Sequence, residues 1–455
     1  MSFMRTVYFY NVLRKNLLKT REEILNLRKT QFNKLVKYAF DNIPFYQEYY
    51  TSFGIRRKDL EDIYITEVPL INKTILMDNF DNFFIDKRLN RGSVERFLSE
   101  NPDPTSLLFN KYYVIHSSGT SGKVGLYIYS KKEWDFIKAI STRIFPNFTI
   151  SRKKYAFLGA ADGHYAAISL FLSPLNQIEQ FFYKDYLVLD INKPLKNYVE
   201  ALNEFKPQIL TGYPNGIKVL AELQKKGTLH IHPENIVTGG EILQKDTKLL
   251  IKETWSNSEL SNCYATSESL AMGISREDLD GMYIYDDAIW LEIQDNGSLL
   301  TNLYNYTQPL VRYQLSDSFR ELKDENAVWP FTKVDEIIGR SEIIPSFINE
   351  DGDKDFIHPI VIAEIFVEGV TAFQFVQTSD TSFTFKIVVS EDVKTSKLKI
   401  IENVQKKLNN ILHKKKMKNV SFEIEVVPEL TPDPKTGKFR LITIDMNSKK
   451  RKEGE

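Results

Sequence analysis

The sequence contains a single cysteine, Cys263, among 455 residues. One thiol excludes an internal disulfide and any cysteine-built zinc cluster. Histidine is scarce too: there are six, with no His-x3-His or HExxH spacing, so the usual frame of a zinc hydrolase is missing. No run of about 18 apolar residues exists, and no membrane span is expected. The stretch Met1–Thr20 mixes Arg and Lys with apolar residues and lacks a clean apolar centre, so it does not read as a signal peptide. The expected compartment is the cytoplasm. An excess of either charge is also absent, because 60 Lys+Arg balance 60 Asp+Glu. That excludes a globally basic nucleic-acid binder and a polyacidic tail protein, while leaving room for a local basic patch.

The remaining composition is that of a globular protein, 42% hydrophobic and 26% charged, and the length suits two domains. Thirty Phe and 23 Tyr can fill large cores or pockets. Residues 11–41 read as one long helix, because Leu13, Leu17, Leu25, Phe32, Leu35 and Ala39 keep returning to one face. It should stop before Pro44. Residues 66–110 suggest short helices and loops. Two β-type runs, Tyr112–Ile115 and Leu126–Tyr129, flank a loop of small residues. From 131 to 264 helical and strand-like segments alternate, which points to a mostly parallel, covered sheet. After 280 short β-runs dominate, including 288–293, 298–302 and 309–313. A compact α+β module follows, with a hairpin over 371–389, a basic helix over 393–415 and a strictly alternating strand over 420–427. The fold expected is therefore α/β, with a large domain over 1–339 and a small C-terminal α+β domain over 340–455. The run Lys414-Lys415-Lys416 reads as a solvated helix face.

The most informative loop is Ser117-Ser118-Gly119-Thr120-Ser121-Gly122-Lys123. Glycines let backbone N–H groups close around phosphate oxygens, hydroxyls donate, and Lys123 adds positive charge. It is not a Walker A loop. The spacing is G-x-x-G-K, Val124 stands where Ser/Thr would bind Mg²⁺, and a strand rather than a helix follows. A plain hairpin turn has the same composition.

With four further segments, this loop resembles the phosphate signature of the adenylate-forming superfamily, which includes acyl-CoA synthetases, peptide-synthetase adenylation domains and luciferases. The likeness is to the phenylacetate–CoA ligase branch, especially members found with capsule and exopolysaccharide genes, and it extends along the whole chain. Tyr264-Ala265-Thr266-Ser267-Glu268 is similar to the family's aromatic-Gly-x-Thr/Ser-Glu motif, with Ala265 in place of Gly. Arg312-Tyr313-Gln314-Leu315-Ser316-Asp317 resembles its Arg-Tyr-x-x-x-Asp. Ile338-Gly339-Arg340 resembles the hinge signature, and Pro434-Lys435-Thr436-Gly437-Lys438 the C-terminal lysine motif. Val68-Pro69-Leu70-Ile71-Asn72-Lys73 fits the branch as well.

The resemblance implies the site. Tyr264 would stack on adenine, Thr266 and Ser267 would touch the α-phosphate, Glu268 would help hold Mg²⁺, and Asp317 would bind the ribose. Arg340 and Glu241, the latter within Gly239-Gly240-Glu241, would reach the nucleotide. Lys438 would bridge the carboxylate and the α-phosphate. Lys438, Glu268 and Lys123 form the expected catalytic set, and His164 and Tyr213 are expected in the acyl pocket. ATP, Mg²⁺ and a carboxylic acid are the implied reactants. Coenzyme A, a carrier-protein thiol or an amino sugar is the acceptor. Glu342 stands at the family's hinge Asp, and the loop Ser346–Gly352 is atypical where the CoA arm would pass. Two other readings remain open: an adenylyltransferase that keeps AMP on its product, and a non-catalytic nucleotide-binding scaffold.

Overall fold

The computed structural model describes residues 2–117, 124–146, 153–173, 185–294, 297–323, 327–335, 343–363, 365, 367–390, 396–430 and 441–445. The chain opens with two helices, α1 (Ser2–Asn16) and α2 (Arg21–Asn42), where the leucine spacing suggested one over 11–41. The cause of the break is local. The Thr20 hydroxyl accepts the Glu23 N–H, and the Glu23 carboxylate accepts the Thr20 N–H at 2.7 Å. This capping box starts a new helix whatever the apolar period does. Asn16 is buried and donates to Asp287 at 2.9 Å, which anchors the end of α1. α2 stops at Asn42, before Pro44, as the sequence requires.

Strands β1 (Tyr112–His116) and β2 (Leu126–Ser130) form an antiparallel pair, with His116 opposite Leu126 at the end nearest the Ser/Gly loop. The alternating middle of the chain builds β3 (Lys154–Gly159), β4 (Asp185–Asp190), β5 (Ile209–Gly212), β6 (Asn235–Gly239) and β7 (Glu259–Tyr264). These are parallel neighbours in the order β7-β6-β5-β3-β4. Helices Leu195–Phe205, Pro214–Lys225 and Lys245–Thr254 make the crossovers. Antiparallel β8 (Gly273–Arg276) and β9 (Met282–Ile284) extend the same sheet. A smaller antiparallel sheet follows, made of β10 (Ile289–Gln294), β11 (Gly297–Asn302) and β12 (Tyr313–Leu315). β12 starts where the expected run at 309–313 ends. Arg312, at φ 50°, breaks the extended backbone there, and its guanidinium is held by Glu292 and the Val68 carbonyl. β13 (Thr332–Val334) closes the edge of the large sheet beside β9.

The C-terminal segment contains a small hairpin, β14 (Ser346–Ile348) and β15 (Lys354–Phe356). Beyond it lies a four-stranded sheet in the order β18-β17-β16-β19, built from β16 (Val370–Ser379), β17 (Ser382–Val389), β18 (Ser421–Val426) and β19 (Ile442–Ile444). The helix Lys397–Lys414 covers it. The expected hairpin, basic helix and alternating strand are all present. The expected boundary at 338–342 lies outside the described residues.

One expectation fails here. Lys415 is not on a solvated face but is 1% exposed. Its ammonium pairs with Asp355 at 3.0 Å and donates to the Lys193 carbonyl at 2.8 Å. Lys414 and Lys416 meet Asp162 and Asp351. The helix ends at Lys414, and the turn after it points Lys415 inward.

The architecture is the α/β arrangement read from the sequence: a large, mostly parallel sheet, a β-rich part and a small C-terminal α+β unit. Its buried side chains form two apolar cores. One joins α1, α2 and β1–β2 to the β8–β12 region, and the other joins the parallel strands to the C-terminal sheet. Among the described residues no helix is long and apolar enough to cross a membrane.

Candidate nucleotide and acyl site

Alternation divides each parallel strand between two faces. Ala156, Leu158, Leu210, Ile236 and Leu260 point into the second core. Tyr155, Phe157, Ile209, Thr211, Val237 and Cys263 point the other way and line a cavity of about 630 Å³. The C-terminal ends of these strands carry glycines where the chains crowd. A Cβ on Gly212 would lie 2.3 Å from the Leu158 carbonyl oxygen, and one on Gly239 would lie 3.1 Å from that of Cys263. β4 and β5 flank β3 on opposite sides, so the chain reverses direction across the sheet at this point. Open α/β sheets bind ligands in the crevice such a reversal leaves.

At the end of β7, Tyr264 donates its hydroxyl to Asp317 Oδ2 at 2.9 Å and sets its ring against Phe319. Ser298 Oγ fixes the Asp317 carbonyl at 3.0 Å. Burial pushes the Asp317 carboxyl above the ordinary aspartate range; the Tyr264 hydroxyl opposes that and the Glu268 charge adds to it. Ala265, Thr266, Ser267 and Glu268 continue the cavity wall. β2 holds this turn from below. Tyr127 donates to Glu268 Oε1 at 2.7 Å and Tyr129 to the Ser267 carbonyl at 2.8 Å, and Asn302 donates to the Glu268 carbonyl at 3.1 Å. Tyr127 also meets the Tyr313 hydroxyl at 3.0 Å. Glu268 is 8% exposed, and no group of three His, Cys, Asp or Glu surrounds it among the described residues. A lone carboxylate of this kind suits Mg²⁺, which fills its remaining positions with phosphate oxygens and water.

Ser117 and Gly125 close the base of the Ser/Gly loop. The Ser117 N–H donates to the Gly125 carbonyl, and the Gly125 N–H donates to Ser117 Oγ, both at 2.9 Å. Ser118, Gly119, Thr120, Ser121, Gly122 and Lys123 lie outside the described residues, as do Arg340 and Lys438. Lys73 reaches the same place, with its ammonium 3.4 Å from Ser117 Oγ. Burial lowers its proton affinity and the Glu268 charge restores part of it.

Glu241 and Tyr213 form the wall on the β5–β6 side. Gly240 turns at φ +78°, and a Cβ there would sit 2.8 Å from the Tyr213 ring. The Asn215 N–H donates to Glu241 Oε2 at 3.3 Å. His358, from the C-terminal segment, is fully buried with Nδ1 3.6 Å from Glu241 Oε1 and its ring on Tyr213. Burial, with Lys415 nearby, drops its pKa to about 3 and keeps the ring neutral. Ile360, two residues on, lines the cavity itself.

Tyr213 thus lies on the cavity, while His164 sits behind it. The His164 Nε2 meets the Asn101 carbonyl at 2.7 Å, and its ring edges Phe97. Its neighbours His116 and Tyr165 line the cavity instead, 4.4 Å apart between ring centres. Burial, with His164 nearby, lowers the His116 pKa to about 4, so it is neutral near pH 7. The Cys263 thiol is pushed up to about 12 by burial and is no nucleophile at neutral pH. Lys73, His116, Tyr127 and Tyr165 escaped sequence reasoning. Lys73 and Tyr165 lay in segments noted for their family likeness, Tyr165 within Gly163-His164-Tyr165, but nothing local marks His116 or Tyr127 as more than a strand residue. Phe145, Leu170, Phe171, Met282 and Tyr285 also line the cavity and add apolar and aromatic surface to that of the strand residues.

Residues 350–445 match the CapK C-terminal domain family. The chain is 23% identical over 448 residues to Protein CapK of Staphylococcus aureus, across 94% of this chain and 91% of that protein. It is 24% identical over 332 residues to the phenylacetate-coenzyme A ligase of Thermus thermophilus, 65% of each chain. Among solved structures, 2-hydroxyisobutyryl-CoA ligase in complex with 2-HIB-AMP and CoA shares the fold, with a TM-score of 0.60 and 16% identity over 97% of this chain and 94% of that one. Along most of its length the chain is thus similar to Protein CapK and to phenylacetate–coenzyme A ligases, and it shares the fold of an acyl-CoA ligase.

Proposed function

We propose that the protein activates a carboxylic acid with ATP, releasing pyrophosphate and forming an acyl-adenylate, and then passes the acyl group to an acceptor. One observation carries this reading. A single cavity of about 630 Å³ is lined both by Tyr264, Asp317 and Glu268 and by apolar and aromatic side chains. Asp317, ionised, accepts the ribose hydroxyls, and the Tyr264 ring borders adenine. Thr266 and Ser117 donate to phosphate oxygens beside the Lys73 charge. Glu268 would hold Mg²⁺, which neutralises phosphate charge when bound. The carboxylate and the α-phosphate are both anionic, so the barrier is largely electrostatic. Lys123, Arg340 and Lys438 complete the cationic set by the family resemblance.

Residues 340–455 act in this reading as a lid domain on the 1–339 body, and Ile360 and His358 are its contacts with the site. Coenzyme A is the acceptor favoured by the names of the phenylacetate-coenzyme A ligase and 2-hydroxyisobutyryl-CoA ligase relatives. The likeness to Protein CapK favours a setting in polysaccharide assembly, where a carrier thiol or an amino sugar takes the acyl group.

The test is acid-dependent pyrophosphate release from ATP–Mg²⁺ over a panel of aryl, fatty, hydroxy and amino acids, with products followed by mass spectrometry before and after adding coenzyme A. An acyl-AMP with one acid class is expected, followed by a thioester. Lys438→Ala should abolish release while ATP still binds, a loss of roughly 2.7–4 kcal/mol of transition-state stabilisation. Release by that variant at the parent rate would remove Lys438 from the mechanism. AMP retained on the final product would replace ligation with adenylyl transfer.

A further inference from the structure

The outer face of α1 is built against the usual rule. Its inner face packs on the helix Lys131–Ser141: Phe9 edges Phe136 at 5.4 Å, and Arg5 Nε donates to Asp135 at 2.8 Å. The Leu13 carbonyl accepts from Arg143 at 2.9 Å. At about 100° per residue, the exposed positions 4, 7, 8, 11, 12, 14 and 15 share one outward arc of the helix. A surface helix normally turns polar residues outward there. This one presents Met4, Val7, Tyr8 and Val12 together with Asn11, Arg14 and Lys15, and Leu18 follows just past its end; Met4 is 71% exposed, Tyr8 64% and Leu18 86%.

The charge on this face is also one-sided. Residues 2–20 contain no Asp or Glu and four basic residues, in a chain that is neutral overall. Arg5 is paired with Asp135, whereas Arg14 and Lys15 are exposed beside the apolar stripe. On the neighbouring helix Glu133 and Asp135 are buried, while Lys131 and Lys132 are exposed. An apolar stripe bordered by Arg14 and Lys15, with no acid from residue 2 to 20, is complementary to an anionic bilayer surface, where acyl chains take the stripe and phosphates the cations. The next acids, Glu22 and Glu23, belong to α2, where Glu23 caps the helix and pairs with Lys19.

We propose that α1 docks the protein peripherally on an anionic lipid surface, lying flat with Met4, Tyr8 and Leu18 in the interface. The helix is 15 residues, about 22 Å, long enough to lie along a membrane and too short to cross it.

The experiment is co-sedimentation of the 455-residue protein with vesicles of phosphatidylcholine alone and of phosphatidylcholine with about one-third phosphatidylglycerol. Binding is expected to the anionic vesicles only, weakening as salt rises from about 50 to about 300 mM. Arg14→Gln with Lys15→Gln should weaken it about thirty-fold. Met4→Ser with Leu18→Ser should weaken it at least about tenfold. Both variants touch only exposed side chains, so their melting temperatures and pyrophosphate release without vesicles should match the parent. Equal sedimentation with neutral and anionic vesicles would overturn the proposal. So would self-association, seen by analytical ultracentrifugation and lost in the same variants, or an acidic protein that occupies the face while vesicles do not bind.

Discussion

At the scale of single residues, Asp317 is the group whose protonation the site should feel first. Burial raises its pKa, and a ribose-binding carboxylate must be ionised to accept hydroxyl protons. ATP affinity should therefore begin to fall, as pH is lowered, at a pH above the ordinary aspartate range. Asp317→Asn should weaken ATP binding at neutral pH and flatten that acid limb, as isothermal titration across pH would show. An acid limb identical in the variant would assign the titration elsewhere. Stability takes the opposite sign. A raised pKa gives a contribution present below the ordinary aspartate value and lost as pH rises through the folded value. His116 and His358, the histidines nearest the site walls, will not mimic this limb near neutrality, since burial lowers them to about 4 and about 3.

At the scale of elements, Lys415 shows how a charge run becomes a joint. Its partner Asp355 also accepts the N–H of Leu195, the first residue of a crossover helix, while Lys415 donates to the Lys193 carbonyl. Two buried charges of the C-terminal segment are thus completed by backbone groups of the parallel-sheet layer. Breaking a buried pair from one side leaves the other charge unmatched and typically costs about 3–5 kcal/mol. Lys415→Ala should lower unfolding stability by that order in urea melts, and adding Asp355→Leu should restore part of it. A single-variant loss below about 1 kcal/mol would show that the pair is solvated in solution. Arg143 and Asp287, both buried and bidentate at 2.9 and 2.7 Å, make the equivalent joint between the N-terminal helices and the β-rich part.

At the scale of the whole molecule, the parallel-sheet layer and the C-terminal sheet share one apolar core, so their stabilities should be coupled. A chain ending at Asp335 is expected to melt at a lower temperature than the 455-residue protein and to bind a hydrophobic dye such as ANS, because Phe347, Ile357 and Ile362 are fully or nearly fully buried in that core. An unchanged melting temperature without dye binding would mean that the two units fold independently.

Much of this was legible in the sequence, because much of it is local. Strand alternation from 154 to 264, the Pro44 stop and the 371–389 hairpin depend on backbone geometry and side-chain period over a few residues. The resemblance to a family's motifs, not any local period, named Tyr264, Asp317, Glu268, Glu241 and Tyr213, which the fold brings to one cavity. Local signals also misled where a short-range device overrode the period, as the Thr20 capping box did in dividing the first helix. What only the tertiary structure decided are meetings between residues far apart in the chain. Tyr127 meets Glu268 across 141 positions, Lys73 meets Ser117 across 44, and Lys415 is buried against Lys193 across 222. The direction of a side chain from a loop or strand end, toward solvent or into a site, is set by the elements packed against it, and no local period encodes that.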